Sequence, residues 1–80
     1  MTRLRRPPRI LVVDDDPGLL RLLTIRLRSQ KYEVEPVPSA AEALAAVARF
    51  RPDLVITDLR MAQMDGIALL KELQRKWPSL

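Results

Sequence analysis

Three short apolar runs, separated by amphipathic stretches, constrain this chain more than any other feature of it. Residues 9–14, RILVVD, are apolar without alternation, which suits a parallel strand buried on both faces. Residues 32–38, YEVEPVP, set Tyr32, Val34 and Val37 against Glu33 and Glu35. Pro36 and Pro38 cannot donate to a central ladder, so this second run is expected at a sheet edge. Residues 53–58, DLVITD, again read as a strand dry on both sides, and that strand ends in Asp58.

The stretches between have helical spacing. Asp16 and Pro17 are suited to the cap and first turn of a helix over 17–30, with Leu19, Leu20, Leu23 and Leu27 on one side. SAAE at 39–42 is a capping box, and Ala43, Leu44, Val47 and Phe50 come after it at short helical intervals. RMAQM at 60–64 reads as a loop. Asp65 then caps a third helix with Ile67, Leu70, Leu73 and Trp77 as its apolar stripe, and Pro78 ends it. Strands alternating with helices imply βαβ units, a parallel sheet and helices on both faces, with right-handed crossovers. Eighty residues make one small domain, and so short a chain leaves much of its surface wet and its stability small.

Composition removes several kinds of chemistry. The chain has neither cysteine nor histidine, so it offers no disulfide framework, thiolate or imidazole metal site, or imidazole base. The lack of cysteine fits a cytoplasmic protein. No apolar run is long enough for a membrane span, and the start lacks the pattern of a secretory signal. The net charge of +4 is uneven: Arg3, Arg5, Arg6 and Arg9 lie among the first nine residues, leaving ten cations against ten anions in the rest. Residues 1–8 therefore read as a basic, solvated leader ahead of a domain over 9–80. Four arginines without an aromatic platform are a weak sign of nucleic-acid contact.

Carboxylate chemistry remains. In open parallel sheets ligands bind outside the carboxyl ends of the strands. The first strand ends at Asp14, Asp15 and Asp16, and the third at Asp58. If these strands are neighbours, at least three carboxylates share one rim. Such a cluster either takes up a proton or draws a cation. A site of oxygen ligands alone suits a hard ion such as Mg²⁺. A lone Asp58 would more often be a turn or cap residue; the joint pattern, with MDG a few residues on, is what favours a site.

ILVVDDDPGLL, PDLVITDLRMAQMDG and ALLKELQ resemble the N-terminal part of the receiver domain of two-component response regulators. The resemblance covers residues 9–77. It implies a flavodoxin-like α/β fold, here three strands in order 2-1-3 with three helices. It implies that Asp58 accepts a phosphoryl group from a phosphohistidine on a sensor histidine kinase. It further implies that Mg²⁺ is held by Asp14, acting through water, by Asp15 directly, by Asp58, and by the backbone carbonyl of Arg60. The wording around Asp58 is similar to that of sigma-54-dependent enhancer-binding activators, in which DNA is contacted by a separate output domain.

The sequence departs from the family's pattern in two places. Ala62 stands where the family usually has proline, which loosens the loop. The sequence also stops after the third helix, short of the strands that carry the family's switch hydroxyl and its lysine. The resulting expectation is a phospho-acceptor module impaired as a switch, not an enzyme in the usual sense, whose third strand is an edge inviting self-association. The alternative from another class is an interaction fragment that associates without being phosphorylated. Phosphate-ester hydrolysis of the haloacid-dehalogenase kind expects D-x-D at the nucleophile, whereas Leu59 and Arg60 come after Asp58 here.

Overall fold

The computed structural model describes residues 6–58 and 65–80. Along the chain run β1 (Arg9–Val13), α1 (Pro17–Ser29), β2 (Glu33–Val37), α2 (Ala40–Phe50), β3 (Leu54–Thr57) and α3 (Gly66–Lys76). The sheet is parallel in the order β2-β1-β3, so the sheet order and the six-element alternation agree with the sequence reading. Arg9 is opposite Glu33 and Val13 opposite Val37 in one ladder; Ile10 is opposite Leu54 and Val13 opposite Thr57 in the other.

β1 is central, and its side chains divide the core by their alternation. Ile10 and Val12 meet Val34, Leu20, Leu23, Leu27 and Ile56 beneath α1. Leu11 and Val13 join Val37, Ala43, Val47, Leu69 and Leu73 beneath α2 and α3. All four of these β1 residues are buried, which is why the run carries no polar alternation.

Helix starts obey the local chemistry of the sequence. The Asp16 carboxylate accepts from the N–H groups of Gly18 and Leu19, satisfying donors that no helical carbonyl can reach. Ser39 Oγ accepts from the Glu42 N–H and donates back to the Glu42 carboxylate, and Asp65 accepts from the Ala68 N–H. α2 ends on Arg51 in the left-handed region at φ 55°, its N–H donating to Val47 O.

Three sequence expectations are corrected. β3 is not dry on both faces: Leu54 is 52% exposed and Val55, Ile56 and Thr57 are half-buried, because β3 lies at the edge of the described sheet. On α3 the buried positions are Gly66, Leu69 and Leu73, while Ile67 and Leu70 are exposed. The helix is turned so that Leu69, absent from the expected stripe, enters the core. On α1, Leu19 is exposed and Thr24 is buried, its hydroxyl donating to Leu20 O. Thr24 can occupy a dry position because its own helix satisfies the hydroxyl.

Candidate metal and phosphoryl site

β1 and β3 are adjacent and parallel, so the residues just past the end of each strand emerge at the same rim. Asp58 N–H continues the β3 ladder by donating to Val13 O at 3.1 Å, and Asp14 N–H donates to Val37 O at 3.2 Å on the other side. The first bond ties Asp58 to the central strand, and the second ties Asp14 to β2. One carboxylate oxygen each from Asp14, Asp15 and Asp58 lies within 4.8 Å of the other two. The sequence reading placed these three acids together, and the structure does so.

Their environments differ. Asp14 is buried, and one of its oxygens accepts the Asp16 N–H at 2.9 Å. That bond closes the turn into α1 and fixes the Asp14 carboxylate over the strand ends. Asp15 and Asp58 face solvent. Asp16 is engaged in the α1 cap, so the fourth acid of the neighbourhood is structural. Thr57 donates its hydroxyl to Asp58 O, a local bond at the exit of β3. Arg60, assigned a carbonyl ligand from sequence, lies outside the described residues, as does the 60–64 loop.

The donor set fits a hard divalent cation. Three carboxylates this close repel one another, and a +2 ion reverses the sign of that interaction. Mg²⁺ sits about 2.0–2.1 Å from its oxygens and keeps several waters. A cluster spanning up to 4.8 Å therefore suits mixed direct and water-mediated ligation.

A three-stranded parallel sheet, a helix on one face, two on the other and an acid triad at the strand ends define a receiver-like α/β module. The family model described as the response regulator receiver domain matches residues 10–80, and the chain belongs to that family. Receiver domains are signalling modules of two-component systems. Transcriptional regulatory protein GlrR of Escherichia coli strain K12 is 49% identical over 75 residues, covering 94% of this chain and 17% of that protein. DNA-binding response regulator MtrA of Mycolicibacterium smegmatis is 46% identical over 66 residues, covering 82% of this chain and 29% of that protein. The chain thus spans less than a third of these curated relatives. Among solved structures, response regulator TrrA from Thermotoga maritima in complex with Mg²⁺-BeF superposes with a TM-score of 0.84 at 35% identity, covering 89% of this chain and 62% of that one. Chemotaxis protein CheY4 of Vibrio cholerae gives 0.87 at 29% identity, with coverage of 91% and 61%.

One surface feature escaped the sequence reading. Leu19, Leu22 and Ile25 are exposed apolar residues along α1, the helix that begins beside the acid rim. Their three-residue spacing was the available signal, hidden because Leu19 reads equally well with Leu20, Leu23 and Leu27 as part of the expected buried stripe.

Proposed function

We propose that this chain is the phospho-acceptor part of a response regulator, with Asp58 as the acceptor. The convergence of Asp14, Asp15 and Asp58 within 4.8 Å is the observation that carries this reading. An Asp58 carboxylate oxygen attacks the phosphorus of a phosphohistidine on a sensor kinase. The new P–O bond forms as the P–N bond breaks, and the imidazole leaves with a proton from solvent. Solvent exposure lets a donor reach Asp58, while the ladder bond to Val13 O keeps the nucleophile from swinging away. Asp14, Asp15 and Asp58, with the Arg60 carbonyl, would hold Mg²⁺, whose charge offsets that of the phosphoryl oxygens. Asp14 positions the rim through its bond to the Asp16 N–H. The fate of the signal lies in an output function that regulates transcription.

Asp58→Asn tests the assignment, since an amide is isosteric and not nucleophilic. Incubation with acetyl phosphate and Mg²⁺, and then intact mass measurement, is expected to add one phosphoryl group to the parent chain and none to D58N. Equal labelling of the two chains counts against Asp58.

A second reading is favoured by one observation, the exposure of Leu54, Ile67 and Leu70 on β3 and α3. In it the chain associates with a second copy through that edge and is not phosphorylated. Phosphoryl labelling at Asp58 separates the two readings.

A further inference from the structure

The acid rim depends on β3 lying in one register against β1, and the apolar pattern of β3 barely enforces it. Val55 packs toward the α2–α3 side of the sheet and Ile56 toward α1. A slip that brings Pro52 opposite Arg9 puts Leu54 and Val55 in the places of Val55 and Ile56, one aliphatic side chain for another at little cost in burial. The opposite slip puts Thr57 in the place of Ile56. A strand patterned this way has weakly specified register. The cost would fall on the rim: Asp58 would move about 3.3 Å along the strand and turn to the opposite face.

We propose that Asp53 is the positioning residue that sets this register, and hence the geometry of the Asp14, Asp15 and Asp58 cluster. This inference rests on the reading of that cluster as the functional site. Asp53 closes a two-point clamp on one residue of β1. Its N–H donates to Arg9 O at 2.7 Å, and its carboxylate accepts the Arg9 N–H at 2.8 Å. A slipped strand would bring Pro52 or Leu54 opposite Arg9. Proline has no N–H to give, and neither side chain offers an acceptor. The clamp therefore exists in one register alone. The Arg6 guanidinium donates to the same carboxylate at 3.0 and 3.4 Å and holds its rotamer. At the far end of the strand, Asp58 N–H donates to Val13 O in this same register.

The test uses the isotope-labelled full chain, with Mg²⁺ alone as the probe. Two readouts are taken by NMR: the cross-strand contact of Val13 with Asp58, and the Mg²⁺ titration seen at the Asp15 and Asp58 amides. Asp53→Asn retains an oxygen for the Arg9 N–H, so it should keep the native contact and bind Mg²⁺ within about twofold of the parent. Asp53→Ala loses that acceptor. It should show a second set of β1–β3 contacts and an affinity lowered about tenfold, on the scale of losing a hydrogen-bonded support of a metal ligand. If D53A is too unstable to read directly, trimethylamine N-oxide restores compactness without restoring the bond. A D53A chain with the single native Val13–Asp58 contact and parental Mg²⁺ affinity overturns the proposal, as does loss of that contact in D53N. A parent chain that ignores Mg²⁺ refutes the metal reading instead, and the D53A contacts still decide the register.

Discussion

Asp58 is the acceptor in the proposed function, and its N–H is tied to Val13 O of the central strand. The acid is carried to the rim because Val13 O accepts its N–H and because Asp53 is seated at the other end of β3. Asp53 also bears on pH dependence. The Arg6 guanidinium, and then the Arg9 N–H, hold its carboxyl below the usual value of 3.8. A carboxyl depressed on folding stabilises the fold above its unfolded value and loses that contribution as pH falls through the folded one. The contribution of Asp53 is therefore intact at neutral pH and is lost progressively below about pH 3.8. Acid titration by circular dichroism should show D53N less sensitive than the parent in that range. The pair is exposed, so raised salt should narrow the difference between the two chains. Asp53 was legible in the sequence only as the acid that opens the apolar run 53–58. Its partner Arg6 was legible only as part of a basic leader, since nothing local joins residues 47 positions apart.

At the scale of elements, the helix starts were fully written in short-range chemistry. Asp16, Ser39 and Asp65 each accept from an N–H two or three residues on, and such bonds need no tertiary partner. Helix orientation was less legible. α3 offers Ile67, Leu69, Leu70 and Leu73, and more than one face of such a helix is apolar enough to be buried. Packing against the α2 side of the sheet selects Leu69 and Leu73. A change confined to a helix start has consequences that local geometry decides. Gly18 lies in the first turn of α1, and a Cβ there would meet only the Asp16 carboxylate oxygen at 3.4 Å. Gly18→Ala should stabilise the fold by about 0.5–1 kcal/mol through reduced backbone freedom in the unfolded chain. For a domain of this size that is a rise of roughly 2–8 °C in melting temperature, measurable by thermal denaturation.

Among the described residues the sheet is centred on β1, which is buried from Ile10 to Val13. β1 is covered on both faces and paired on both edges, whereas the described part of β3 pairs on one side and leaves Leu54 exposed, as Ile67 and Leu70 are on α3. An apolar strand edge with open backbone groups favours intermolecular pairing. Sedimentation velocity on the 80-residue chain at tens of micromolar is expected to show species heavier than 9.2 kDa that increase with concentration. A single monomer boundary across that range would count against association through β3. Asp53 and Asp58 flank the strand, so antiparallel pairing of two copies brings like charges together, and Mg²⁺ should favour the assembly by offsetting one of them.

By itself the sequence determined the order of elements, the helix caps, the central place of β1 and the identity of the rim acids. Each of these comes from periodicity, from bonds spanning a few residues or from the family pattern the motifs carry. Only the tertiary structure decided which face of α3 enters the core, how exposed β3 is, and that Arg6 reaches across to Asp53. Those outcomes depend on contacts between segments far apart in the chain, where several local patterns are equally acceptable and packing chooses among them.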